Sequence, residues 1–199
     1  MEKFEKLSIV IPVFNEEKTI NLILDKIISV KLIGGIKKEI IIVDDYSTDK
    51  SESVIKAYIK SHDEIDIRYF KLNKNSGKGA ALRHGFQNST GQYLIIQDAD
   101  LEYDPKEYND LIKPVLDGFA DVVYGSRFMG GNPHRILFFW HTVGNKFLTN
   151  LSNLFTNLNL TDMETCYKLF KSEIIKSIEL KENRFGFEPE ITAKISRVK

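Results

Sequence analysis

Cysteine is almost absent from this chain: Cys166 stands alone among 199 residues. That excludes an internal disulfide and fits a reducing compartment. No apolar run approaches the roughly 20 residues that cross a bilayer. The first residues, MEKFEKL, are charged and lead straight into a strand-like run, so no signal peptide is read there. Neither sign of charge is in surplus, with 28 basic and 28 acidic side chains, so nucleic acid is not an expected partner. The four histidines show no zinc spacing. Repeats, low-complexity tracts and linkers are missing too. What remains, 42% apolar and 28% charged, is the composition of an ordinary globular domain. A cytoplasmic protein is expected, with a role at the membrane surface left open.

The apolar pattern alternates between two periods. Residues 7–14, LSIVIPVF, read as a buried strand, followed by Asn15 as a helix N-cap and by Ile20, Ile23, Leu24, Ile27 and Ile28 at helical spacing. Residues 39–43 form a second strand closed by Asp44 and Asp45, after which Ser47, Thr48 and Asp49 can cap a helix. Strands at 67–72 and from Tyr93, a short helix at 77–86, a helix opened by Asp104 and Pro105, and a strand at 121–124 continue the series. Residues 125–135, GSRFMGGNPHR, are a glycine-rich loop. Residues 136–160 are rich in aromatics and read first as a core helix, second as an amphipathic helix lying on a membrane. A strand at 167–170, a short helix from Ser172 and a last helix at 190–198 follow. That last pattern is still running at Lys199, so the expectation is one domain over 1–199, truncated at its C-terminal end. Such alternation implies βαβ units and an α/β fold with a mostly parallel sheet. Ligands of such sheets sit beyond the carboxyl ends of the strands.

The informative stretch is 93–104, YLIIQDADLEYD. Asp98 and Asp100 flank one alanine at a strand end, a hard-oxygen pair suited to Mg²⁺ or Mn²⁺. Taken alone, the pair reads as a solvated acidic turn. NSGKGAA at 75–81 lacks the spacing of a phosphate-binding P-loop, and no GxGxxG follows the first strand, so neither an ATPase nor a dinucleotide enzyme is expected. Arg127 and Arg135 are cations of the kind that match phosphate with paired donors. Cys166 has no partner histidine that the sequence can argue for, and is read as packing.

IPVFNEE, IIIVDDYSTD, NSGKGAALRHG, QDADLEY and YGSRF occur in that order. Together they closely resemble the family 2 glycosyltransferases with a GT-A (Rossmann-like) fold, helices on both faces of the sheet, and the resemblance covers nearly the whole chain. YGSRF and TDMETCYK are most similar to the branch that moves sugars onto polyprenyl phosphate lipids. The resemblance implies that Pro12, Phe14, Asn15, Glu16, Asp44 and Asp45 hold the base and ribose of a nucleotide sugar. It implies that Asp98 and Asp100 hold Mg²⁺ or Mn²⁺, joined by Glu102, where relatives often have glutamine. Lys78 either contacts the nucleotide phosphates or caps a surface turn. Arg127 and Arg135 take acceptor- or donor-phosphate positions, although Arg135 also reads as a solvated loop charge. The resemblance also implies that Asp162, in TDMETCYK, faces the reacting centre. It serves as a general base if the acceptor is a hydroxyl, or as an orienting carboxylate if the acceptor is an already ionised phosphate. The segment 187–190 is structural support.

The implied activity is metal-dependent, inverting transfer of a hexose from a UDP- or GDP-sugar to a polyprenyl phosphate, with Asp162, Asp100 and Arg127 as the catalytic set. A saccharide or glycolipid hydroxyl is the alternative acceptor. A degenerate domain that binds nucleotide sugar without turnover is the non-catalytic alternative. A nucleotidyltransferase would open on a glycine-rich loop, and IPVFNEE has no glycine.

Overall fold

The computed structural model describes residues 3–128, 139–184 and 186–198. Strands β1 (Lys6–Val13), β2 (Lys37–Asp44), β3 (Ile67–Lys71), β4 (Tyr93–Ile96), β5 (Val122–Tyr124) and β6 (Lys168–Lys171) form one sheet in the order β3-β2-β1-β4-β6-β5. β1 pairs in parallel with β2 and β4, and β2 with β3. β6 runs antiparallel to both β4 and β5, a reversal that a four-residue apolar run does not announce. The expected mostly parallel sheet is present.

The apolar runs are continuous because both faces are covered. Leu7, Ser8, Ile9, Val10 and Ile11 have no exposed surface, nor do Ile40 to Val43, as fits strands sandwiched between helices. Helix α3 (Lys78–Asn88) packs on β1 and β2. It comes so close that a Cβ on Gly85 would lie 2.3 Å from a methyl of Val10, so only glycine fits there. α6 (Ser172–Ser177) and α7 (Phe187–Ile195) join α3, the rings of Phe86 and Phe187 lying 6.3 Å apart. α1 (Ile20–Ser29) and α2 (Ser51–Ser61) are tied by the Tyr58 hydroxyl, which donates to Asp25 at 2.6 Å. α4 (Tyr108–Leu116) is tied to the turn after α1: Asn109 accepts from the Ile33 N–H and donates to the Lys31 carbonyl.

Two local expectations change. Asn15 does not cap α1, which begins five residues later; its side chain is spent on the loop after β2. α5 (Phe139–Thr156) is not a core helix, since Thr149 is its one buried residue among those described.

A buried charge clamps the parallel half of the sheet. Glu39 on β2 is 1% exposed. It accepts from the Ser8 hydroxyl at 2.5 Å and from the Thr90 N–H and hydroxyl at 2.9 and 2.7 Å, and it pairs with Lys6 at 3.1 Å and with Arg68. Glu39 therefore clamps β1, β2, β3 and the turn before β4. Burial would push its carboxyl up, but the bonds from Ser8, Thr90 and Lys6 outweigh that and hold it at about 2, against an ordinary 4.5. A depressed carboxylate stabilises the fold above its unfolded value, and that stability is lost as pH falls through the folded one. Glu39→Gln should cost about 2 kcal/mol in urea denaturation at pH 7. The deficit should close between pH 4.5 and about 2, the two values that bracket the titration. A deficit that persists unchanged near pH 2 would refute the charge-based clamp.

Candidate functional site

The strand order reverses between β1 and β4, so the loops leaving their carboxyl ends diverge and leave a crevice. A cleft of about 300 Å³ opens there. The end of β1 contributes Pro12, the loop after it Phe14 and Glu16, the residue after β2 is Asp45, the first turn of α3 contributes Lys78, and the turn after β4 contributes Asp98 and Asp100.

Behind this wall the loops lock to one another. Asn15 adopts a left-handed backbone, φ 59°, which asparagine tolerates better than most residues. Its N–H donates to the Ser47 hydroxyl at 3.0 Å, and its side-chain oxygen accepts from the Thr48 N–H at 2.8 Å. Asp44 is fully buried and divides its oxygens between the Ser47 N–H and the Tyr69 hydroxyl, both at 2.7 Å. Asn15 and Asp44 thus shape the loops rather than line the cleft. Asp45 accepts from the Ser76 and Gly77 N–H groups at 2.6 and 2.7 Å. Gly77 has φ 97°, and a Cβ there would lie 2.4 Å from the Asn183 carbonyl oxygen, so the position needs glycine. This clamp sets the start of α3 and hence Lys78.

The Lys78 ammonium stands 2.8 and 3.0 Å from the two oxygens of Asp98, and 3.6 Å from Glu188 on α7. Burial would push this lysine down, but Cys166, Asp98 and Glu188 facing it more than offset that, and its proton is held above the ordinary lysine range. Beneath Asp98, fully buried Gln97 accepts from the Tyr108 and Tyr167 hydroxyls at 2.7 and 3.0 Å and donates to the Asp98 carbonyl at 2.9 Å. The end of β4 is pinned from below. The chain then turns through left-handed Leu101, with the Asp100 carboxylate accepting the Glu102 N–H at 3.0 Å.

Asp98 and Asp100 are hard oxygen donors on the open edge of a cleft. That suits a divalent cation such as Mg²⁺ or Mn²⁺, which takes one or two carboxylates and completes its shell with waters and substrate phosphates. Among the described residues no group of three or more His, Cys, Asp or Glu side chains converges on a metal position. Glu102 follows the pair, its N–H bonded to the Asp100 carboxylate, and its charge helps to hold the Arg127 proton.

A second cluster lies across that turn. Arg127 follows β5 and Asp162 precedes β6. The guanidinium donates through Nε and Nη2 to the two Asp162 oxygens at 2.8 and 2.9 Å, the Arg127 N–H adds a bond at 3.1 Å, and Asn145 of α5 adds another at 2.9 Å. Asp162 is 1% exposed. Burial would push its carboxyl up, but Arg127 and Asn145 hold it below the ordinary aspartate range. Its bond to Asp162 in turn holds Arg127 above the usual arginine value. Arg135 lies outside the described residues.

Cys166 is buried beneath the cleft with its sulfur 3.7 Å from the Ile96 carbonyl, and burial pushes its thiol up, as suits the packing role. The sequence does not single out Gln97 or Asn145, and it marks Glu188 only as part of the supporting segment 187–190. Gln97 sits inside the QDAD motif, where its neighbour relation to Asp98 was a usable signal. Asn145 and Glu188 act across the fold, on Asp162 and Lys78, and no local pattern gives those partners.

Among curated proteins, the chain is 29% identical to an undecaprenyl-phosphate 4-deoxy-4-formamido-L-arabinose transferase from Photorhabdus laumondii subsp. laumondii over 94% of this chain and 56% of that one. It is 33% identical to a dolichyl-phosphate beta-glucosyltransferase from Dictyostelium discoideum over 61% of this chain and 39% of that one. The chain spans about half the length of the curated relatives it matches first. Among solved structures, glucosyl-3-phosphoglycerate synthase from Mycobacterium tuberculosis, crystallised with Mn²⁺, UDP and phosphoglyceric acid, superposes with a TM-score of 0.70 at 22% identity, covering 93% of this chain and 62% of that one. The ordered motifs, the sheet that carries them and a match to the Glycosyl transferase family 2 profile over residues 8–179 agree: the chain belongs to that family.

Proposed function

We propose that this domain transfers a hexose from a UDP- or GDP-sugar to a polyprenyl phosphate, with inversion at the anomeric carbon. The observation that carries the donor half is the cleft itself, where Asp98 and Asp100 meet Lys78 and the loops after β1 and β2. Pro12, Phe14, Glu16 and Asp45 would seat the base and ribose, braced from behind by Asn15 and Asp44. Asp98 and Asp100 would hold Mg²⁺ or Mn²⁺, which when bound offsets the charge of the departing diphosphate. Lys78 already balances Asp98 and stands where it can meet a phosphate as well.

The acceptor half turns on Asp162. Its carboxylate accepts four hydrogen bonds and is held ionised, so it is a poor proton acceptor. A hydroxyl acceptor needs a base. A phosphate monoester, with its second pKa near about 6, arrives ionised at neutral pH. The geometry therefore favours a phosphate acceptor, with Asp162 orienting Arg127 toward it. The names of the undecaprenyl- and dolichyl-phosphate relatives support the same acceptor class, and a lipid acceptor puts the work at a membrane surface. The single domain is proposed as the catalytic domain of that transferase.

Calorimetric titration with UDP and GDP, each with and without Mn²⁺, tests the donor half. One nucleotide should bind in a metal-dependent manner, and Asp98→Asn or Asp100→Asn should weaken metal-dependent binding by about 10- to 100-fold; binding unchanged in both variants would refute the metal assignment. For the acceptor half, transfer by the unaltered protein should fall with pH only as the acceptor protonates, near about pH 6. Asp162→Asn should lower transfer by about 100-fold or more, the cost expected when a paired partner is removed from a buried charge, and leave nucleotide affinity unchanged. A limb that Asp162→Asn removes from the pH profile would instead make Asp162 a base.

A further inference from the structure

A buried cation lies beneath the donor cleft. Lys168 on β6 is 1% exposed, and no other lysine or arginine among the described residues is buried. Its direct contacts do not balance a full charge: the ammonium donates to the Thr165 carbonyl and stands 5.2 Å from the ring centre of Tyr124. Burial pushes its proton down to about 8, and of the charges facing it Glu188 opposes this most strongly, ahead of Glu164. The same ring fixes the place of that glutamate. The Tyr124 hydroxyl shares a hydrogen bond with the Thr192 hydroxyl at 3.0 Å, and Thr192 donates to the Glu188 carbonyl at 2.8 Å. The Glu188 carboxylate in turn stands 3.6 Å from Lys78, whose ammonium stands 2.8 Å from Asp98. Charges of alternate sign therefore lead from the core to the cleft: Lys168, Glu188, Lys78, Asp98.

Packing does not account for the Lys168 charge, since methionine fills nearly the same volume without the cost of desolvating an ammonium. We propose that Lys168 is a positioning residue for the donor site, a role that rests on the donor half of the function proposed above. Its charge shares Glu188 with Lys78 and so keeps Lys78 turned to Asp98, where the diphosphate arrives. The competition is set by distance and burial. The Glu188 side chain is 12% exposed, and Lys78 is the sole cation within ion-pair distance of it among the described residues. A carboxylate so placed draws the nearest cation onto itself unless a second cation acts on it, and away from water that action extends beyond contact distance. Lysine carries its charge on a flexible four-carbon stem, so Lys78 can close the 3.6 Å gap to Glu188. That move would leave Asp98 and Asp100 without the cation now fixed beside them and take it away from an incoming phosphate. Lys168 prevents the move without touching the nucleotide.

Lys168→Met tests the role. Mn²⁺-dependent affinity for UDP or GDP, whichever the unaltered protein binds, should fall about tenfold, while the thermal melting of the variant matches that of the unaltered protein. Adding Glu188→Gln removes the competitor and should restore most of the lost affinity, a rescue that a packing defect does not show. In a crystal structure of Lys168→Met, Lys78 should lie closer to Glu188 than to Asp98. Unchanged affinity in Lys168→Met overturns the positioning role, and so does a loss that Glu188→Gln does not relieve. A Lys168→Met protein that fails to fold makes Lys168 a structural residue and overturns the role as well. All three outcomes leave the transferase reading standing. If the unaltered protein binds neither nucleotide, the donor reading falls, and the crystal structure of the variant decides the role of Lys168 alone: Lys78 moved to Glu188 upholds it, and Lys78 still on Asp98 overturns it.

Discussion

The ion pair between Lys78 and Asp98 is the constraint on which the site hangs. Any cleft built to gather a cation and a diphosphate concentrates negative charge, and Asp98, Asp100, Glu102 and Asp104 follow one another within seven residues. Left to itself, that charge would repel along the turn after β4. Lys78 offsets it from the first turn of α3. Its own position is secured twice, by the Asp45 clamp on Gly77 just before it and by Glu188 beyond it. The chain of dependence runs from the end of β2 through a glycine that no other residue can replace to the end of β4. Three loops separated in sequence thereby behave as one wall.

The acceptor side follows a different rule. There the charges are already matched one to one, Arg127 against Asp162, in the two-pronged geometry that makes such pairs strong. A carboxylate with four donors around it has little affinity left for a proton. That is what distinguishes an orienting aspartate from a base, and it is visible only when the partners are in place. Lys168 repeats the theme under the site. It is fully buried, bonded to the Thr165 carbonyl and 5.2 Å from the ring centre of Tyr124, and burial brings its proton down to about 8 although Glu188 opposes this. Buried charges under this cleft are thus answered by partners in the segment leading into β6 and on α7, outside the parallel half.

The parallel half was legible in the sequence because its physics is local. Continuous β-branched runs, glycine at turns and acidic pairs at strand ends follow from burial on both faces and from backbone conformation, and β1 to β4 lie where the pattern puts them. The cleft residues Pro12, Phe14, Glu16, Asp45, Lys78, Asp98 and Asp100 come together because parallel strands align their carboxyl ends. What the sequence concealed depends on partners chosen across the fold. Asn15 looks like an N-cap until the loop after β2 offers it better donors. Glu39, an acid in the middle of a strand, is intelligible only beside Ser8, Thr90, Lys6 and Arg68. The direction of β6 is not encoded in four residues that read the same from either end.

α5 shows the same limit in its sharpest form, because its composition is that of a core helix and its orientation is the opposite. Hydropathy reports which residues avoid water but not which side of a helix the domain occupies. Here the inward side is chosen by hydrogen bonds to 160–163, the segment that also carries Asp162. A helix held by few buried apolar contacts belongs to the less stable part of a fold, and anything that binds its outer face adds stability by mass action. Order in the acceptor cluster is therefore tied to what covers α5. The donor cleft, resting on the doubly covered sheet, keeps its shape without that help. The two halves of the site draw on different sources of rigidity, and the boundary between them is the turn that runs from Asp98 to Tyr103.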